Sequence, residues 1–190
     1  MRAVIRRFDP FLRRANHVFE LDGDQTSVMR LQLAHARHVL ELPDGTRGKA
    51  GDRVVLLQLA NERVPPLPPE GPDLNWALRM HTDLVRALRL IAQQMQNDPR
   101  LADIHLVGGI SALISYKDKG AINLMEHLGF MVMPYHSPLG RFGEFWENFY
   151  SWWLMWAFNT VSLRHRTLMK LQRTEIWMST QELLRRYGIK

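Results

Sequence analysis

The sequence predicts an α/β fold of the α+β kind, a mixed β-sheet flanked by helices, and three observations carry that prediction. Two continuous apolar runs, RVVLLQLANERV at 53–64 and IHLVGGISALI at 104–114, have the length and β-branched content of strands buried on both faces. Between them lies one long stretch of helical period, from about Leu74 to Asn97. A third signal is the run DKGAINLMEHLGF, Asp118 to Phe130, a helix stopped by glycine and leading into the strand MVMPY. The order strand, long helix, strand, helix, strand is that of a sheet whose faces are covered by its own crossovers.

Bulk properties bound the function classes. A chain of 190 residues with 46% hydrophobic and 23% charged content buries a core without staples. It contains no cysteine, which excludes disulfides and cysteine-ligated zinc and fits a reducing, cytoplasmic setting. The net charge of +6 favours phosphate or an anionic membrane surface. Nucleic acid is nevertheless not an expected partner, because the arginines are spread from Arg2 to Arg186 without an RNP-like, zinc-finger or helix-turn-helix signature. In the N-terminal MRAVIRRFDPFLRR, Arg6, Arg7, Arg13 and Arg14 interrupt any apolar h-region, so it does not read as a secretory signal.

Taken in order, Val4, Ile5, Phe8, Phe11, Leu12, Ala15, Val18 and Phe19 recur at helical spacing, with Asp9 as cap and Pro10 at the first helical position. They predict a basic amphipathic helix over about 10–20. After LDGDQ come two or three antiparallel strands, about Met29–Ala34, Arg37–Leu42 and Arg53–Leu59, the last one central, with Asp44-Gly45 turning between the latter two. His35 and His38 are three apart, but on strands or a bend they diverge, and no metal role is expected. The segment PPLPPEGPD makes a stiff loop. Asp73 then caps the long helix, whose buried stripe is Ala77, Met80, Leu84, Leu88, Ile91 and Met95, and Asp98-Pro99 ends it. In the second apolar strand, Gly108-Gly109 permit a bulge or the close approach of a backbone or ligand.

From Pro138 the character changes. Four of the six tryptophans, Trp146, Trp152, Trp153 and Trp156, fall in one helical stretch. Its uncharged run, Asn148 to Leu163, is sixteen residues long, short of the about 20 needed to span a membrane. A buried internal helix is the first reading; a homodimer contact or a membrane-surface contact through these tryptophans is the alternative, and a span the last. LQRTEIWMS follows as an edge strand, and Ser179 with Glu182 forms a capping box opening QELLRRY, stopped by Gly188. The chain thus divides, as one domain over 1–190, into an N-terminal helix at about 4–20, a core at about 27–136 and an extension at about 138–190.

The Asp118–Phe130 run resembles motif B of the GNAT N-acyltransferases. Asp118 stands at the asparagine position and Ala121, Leu124, Glu126, Leu128, Gly129 and Phe130 match, so the resemblance implies a GNAT-like core. Two departures weigh against the family's chemistry. Met125 replaces the tyrosine that protonates the leaving thiolate in many such enzymes, and a thioether exchanges no proton. The glycine-rich segment that would cradle the coenzyme A pyrophosphate is replaced by PPLPPEGPD, whose prolines lack amide hydrogens and whose acidic residues repel phosphate.

The wider chain resembles the YkoP-like domain, a module found alone or joined to bacterial polysaccharide deacetylases. LPDGTRGKAGDRVVLLQLANERV, RLADIHLVGGIS, EHLGFMVMP and EIWMSTQELLRRYG carry it in order over about Leu42 to Gly188. No deacetylase catalytic domain is in the chain. The resemblance implies an accessory, non-catalytic module linked to cell-envelope polysaccharide metabolism, with no cofactor and no metal. The alternative is an acyl-CoA-dependent N-acyltransferase with a rearranged cofactor site, for which Glu62 and Tyr116 are the catalytic candidates. Ligand-binding candidates are Asn61 and Glu62, at the end of the central strand, with Gly108, Gly109 and the loop residue His136.

Overall fold

The computed structural model describes residues 18–19, 21, 26–60, 62–66, 68, 70, 73–111, 119–135, 140 and 173–189. Strands β1 (Val18–Phe19) and β2 (Met29–His35) are followed by the short pair β3 (Leu40–Glu41) and β4 (Arg47–Gly48), then β5 (Arg53–Leu59). Helix α1 (Leu74–Asn97) leads through a single 3₁₀ turn to β6 (Leu106–Ser111). Helix α2 (Lys119–His127), β7 (Met131–Pro134), β8 (Thr174–Ser179) and α3 (Thr180–Tyr187) complete the described elements. Six strands form one mixed sheet in the order β1-β2-β5-β6-β8-β7, and β3 and β4 form a separate ribbon. Among the described strands only β5 and β6 pair in parallel, the geometry that the α1 crossover requires.

Helix boundaries follow from capping chemistry. Asp73 accepts from Trp76 N at 2.7 Å, and the Trp76 indole donates to Pro65 O at 2.9 Å, pinning the proline-rich connection against the helix start. Asp98, extended because Pro99 follows, closes α1 and accepts from Arg100 N at 2.9 Å. Leu84, Leu88, Ile91 and Met95 are buried as the spacing predicts. Ala77 is exposed, because the first turns of α1 project past the sheet. Helix α2 ends in a Schellman closure: Phe130 N donates to Met125 O and Gly129 N to Glu126 O, both at 2.9 Å, with Gly129 at φ +97°. Helix α3 covers that end, Arg186 donating to His127 O and Tyr187 to Leu128 O, each at 2.9 Å.

Three expectations are corrected. Val18–Phe19 pairs with Gln32 and Leu31 as a strand, so the predicted N-terminal helix does not reach Phe19; the rest of it lies outside the described residues. The strand expected over Arg37–Leu42 is only Leu40–Glu41. Its Asp44-Gly45 turn, with Gly45 at φ +84° and Asp44 accepting from Thr46 N, folds it onto Arg47–Gly48, while β2 takes the ladder position beside β5. Thr174–Ser179 is not an edge strand but an interior one, paired on both sides and buried along its whole length. Among the described residues β7 ends that side of the sheet, where Pro134 removes a ladder donor at little cost.

The strand alternation gives the sheet two unlike faces. Leu31, Val55, Leu57, Val107, Ile176 and Met178 meet α1, Met125, Phe130 and Leu183 in the main core. The ribbon covers part of the other face, where Ala36, Leu40, Leu42, Val54, Leu106 and Trp177 make a second, smaller core. A Cβ on Gly48 would overlap the Leu106 side chain, so glycine is what lets the ribbon lie this close.

Candidate functional site

Beyond the ribbon, toward the carboxyl ends of parallel β5 and β6, the same face turns polar. Register places Arg30 opposite Gln58, and Ile110 opposite Glu175, which in turn faces Met133. Paired positions share a face, so one row crosses the sheet with a buried arginine toward one end and a buried glutamate toward the other. Arg30 is 6% and Glu175 3% exposed. Buried charges on interior strands are the informative exception in a sheet, since each needs a partner that offsets its desolvation.

Arg30 and Glu62 meet in a two-point pair: Nη1 lies 3.4 Å from Oε2, and Nη2 donates to Oε1. Next to it, Arg63 donates to Ser27 O at 3.0 Å. Glu62, a sequence-predicted candidate, is therefore held by a guanidinium, and Gln58 bonds Gln32 across the adjacent rung.

At the other end of the row, Glu175 Oε2 accepts from Trp177 Nε1 at 2.8 Å and lies 3.5 Å from His38 Nε2. The indole sits two residues along the same strand face. The imidazole comes from the segment between β2 and β3, which leaves the ladder after His35 and crosses this face. His38 is half-exposed while its carboxylate partner is buried. Alongside, Arg37 Nη1 donates to Tyr135 Oη at 2.7 Å, and the guanidinium carbons of Arg37 and Arg173 each lie 5.9 Å from the Tyr135 ring centre. The Tyr135 ring is thus flanked by two cations, and its hydroxyl fixes the first.

Gly108 and Gly109 admit the close approach of other parts of the sheet. A Cβ on Gly108 would overlap the Trp177 ring, and one on Gly109 would stand 2.9 Å from Leu57 O. The space they leave is taken by an indole and a neighbouring strand. Asn61, Tyr116 and His136, like Trp146, Trp152, Trp153 and Trp156, lie outside the described residues. Among the described residues no group of three metal-ligating side chains occurs, and no helix is long and apolar enough to cross a membrane. An open hollow of about 360 Å³ lies elsewhere, beside Gln93, Gln94, Asn97 and Arg100, and one of about 230 Å³ lies beside Asp83, Arg86 and the bonded Ser27 and Arg63.

The family model of the YkoP domain matches residues 1–187. The chain belongs to the YkoP domain family. No curated protein and no solved structure matches it. In this YkoP domain the residues that sequence reasoning missed, His38, Glu175 and their indole and tyrosine neighbours, come from three separated segments. One local signal pointed to them: in TEIWMS, Glu175 and Trp177 alternate with Ile176 and Met178, placing a carboxylate on the indole's face of an otherwise apolar strand.

Proposed function

We propose that this YkoP domain is an accessory, non-catalytic module with a GNAT-like core, serving cell-envelope polysaccharide metabolism by binding or docking. The observation that carries the reading is that the groups acyl transfer would draw on are already engaged. Trp177 fills the hollow over Gly108, Leu57 O closes on Gly109, and Arg30 holds Glu62. Met125, at the position of the family's proton donor, is packed in the main core. Pro65, Pro66 and Pro68 in the β5–α1 connection offer phosphate no amide hydrogens. The GNAT-like core is supported by the long helix joining two parallel strands and by the Leu128-Gly129-Phe130 closure of α2.

The rival is an acyl-CoA-dependent N-acyltransferase with a rearranged cofactor site, favoured by that same β5–α1–β6 unit, whose strands end together where ligands of open sheets gather. Thermal-shift titration separates the two. A ligand at 100 times its dissociation constant stabilises by about 2.7 kcal/mol. The proposal expects no shift with millimolar coenzyme A and co-sedimentation with insoluble envelope polysaccharide. Saturable turnover of acetyl-CoA or a longer acyl-CoA by the purified protein overturns it.

A further inference from the structure

The outer face of α1 carries charge of one sign. At about 100° per residue, the buried stripe of Leu84, Leu88, Ile91 and Met95 marks one side of the helix, and Leu78, Arg79, Thr82, Arg86 and Arg89 fall together within an arc of about 100° on the opposite side. All five are exposed. The helix has three arginines against a single acid, Asp83, which is half-buried at the margin of that arc. A solvated helix face commonly interleaves both signs at i, i+4 spacing. This one presents cations alone along the roughly 15 Å from Arg79 to Arg89.

The same face begins in apolar surface. Among the described residues four large apolar side chains are exposed, and two of them, Leu74 at 75% and Leu78 at 57%, stand one turn apart where α1 projects past the sheet. That overhang is held firmly, since Asp73 accepts from Trp76 N and the Trp76 indole donates to Pro65 O. Nucleic acid would meet the arginines and leave the leucines in water, whereas an apolar protein groove would do the reverse. A groove that encloses a helix is also ruled out along most of α1, whose other side is packed on the sheet. A flat surface that sets phosphates beside a hydrocarbon boundary satisfies both kinds of residue at once.

We infer that the outer face of α1 docks on an anionic lipid surface. Leu74 and Leu78 enter the boundary between headgroups and acyl chains, and Arg79, Arg86 and Arg89 lie among the lipid phosphates. The helix rests on the surface and does not cross it. Because α1 and the β3–β4 ribbon cover opposite faces of the sheet, a docked domain turns its ribbon-side face away from the lipid.

The test is co-sedimentation of the intact protein with vesicles of phosphatidylcholine alone and of phosphatidylcholine and phosphatidylglycerol in equal parts. Binding is expected to the mixed vesicles and not to the neutral ones, and should fall as salt is raised. Arg79→Gln and Arg89→Gln should each weaken it about fivefold, the contribution of one basic residue near an anionic surface. Leu74→Ser combined with Leu78→Ser should weaken it by about tenfold or more. These positions are exposed, so none of the changes touches the core. Absence of binding to the mixed vesicles overturns the inference. Binding that survives all of these substitutions also overturns it, by placing the lipid contact on another part of the chain. Loss with the arginine variants but not with the leucine pair overturns it as well, and marks the face as one for a soluble polyanion such as nucleic acid.

Discussion

Replacing Trp177 by phenylalanine keeps an aromatic ring over Gly108 but removes the only donor that the structure gives Glu175 from its own strand. The indole N–H reaches the carboxylate at 2.8 Å in a site where Glu175 is 3% exposed. A hydrogen bond to a charged acceptor contributes about 1.5–3 kcal/mol, and losing it leaves a buried oxygen short of a partner. The atoms lost from the ring add about 1 kcal/mol. The variant should therefore lose roughly 3–4 kcal/mol, seen in urea as a midpoint lower by about 1.5–2 M if the slope is near 2 kcal/mol/M. A double-mutant cycle isolates the polar part: with Glu175→Leu already present, Trp177→Phe should cost about 1 kcal/mol or less, so the coupling is about 2 kcal/mol. Equal losses in the two backgrounds, or a loss of only about 1 kcal/mol in the wild type, would refute the claim that Trp177 holds the carboxylate.

Two further outcomes test the supports around the site. Gly129→Ala forces a side chain into φ +97° with its Cβ 2.7 Å from Arg186 Nε, and should cost about 2 kcal/mol, a melting temperature lower by roughly 4–8 °C by circular dichroism; an unchanged melting curve would show that the Schellman closure is not needed. Hydrogen bonds from Arg185, opposed by burial and reinforced by Arg186, hold the Glu182 carboxyl down at about 2 against an ordinary 4.5. A depressed folded value means that the unfolded chain takes the proton first, so this stabilisation is complete above pH 4.5 and is lost as pH falls toward about 2. Urea midpoints stepped through that interval should fall less steeply for Glu182→Gln than for the wild type, and superimposable profiles would remove Glu182 as the cause. Asp44 adds to the same acid loss: burial pulls its carboxyl up, but hydrogen bonds from Ser179 and Thr46 outweigh it and hold it low.

What the sequence reveals here is mostly what is local. Asp73, the spacing through Met95 and Asp98-Pro99 bound α1, because capping and periodicity act within one helix. Ser179 accepting from Glu182 N does the same for α3. Strand neighbours are a different matter. Asp44-Gly45 announces a turn, yet nothing within a few residues says that it returns onto Arg47–Gly48 and leaves β5 to β2. Thr174–Ser179 carries a glutamate and two hydroxyl residues, which suits a sheet edge by composition. Its interior place is set by shape, since Gly108 leaves the hollow that Trp177 fills from a distant part of the chain. The site shares that difficulty. Glu62 was legible as a polar residue at a strand end, but its neutralisation by Arg30 is a cross-strand event, and the approach of His38 to Glu175 depends on a segment crossing the sheet face.

The two buried charges on this face, Arg30 and Glu175, are met in opposite ways. Arg30 engages both oxygens of Glu62 through a planar fork, so removing the exposed Glu62 would take a partner from the buried guanidinium. Such a clamp fixes the amino end of β2 against the carboxyl end of β5 and has no reason to exchange partners. Glu175 Oε2 accepts from the indole and has the imidazole Nε2 3.5 Å away. The indole is a donor only, so it is as fixed as the fork. The imidazole is half-exposed, can donate or accept at either nitrogen, and belongs to a segment outside the ladder. His38 can therefore change partner without breaking any pairing that holds the sheet, whereas at Arg30 the change would displace Glu62.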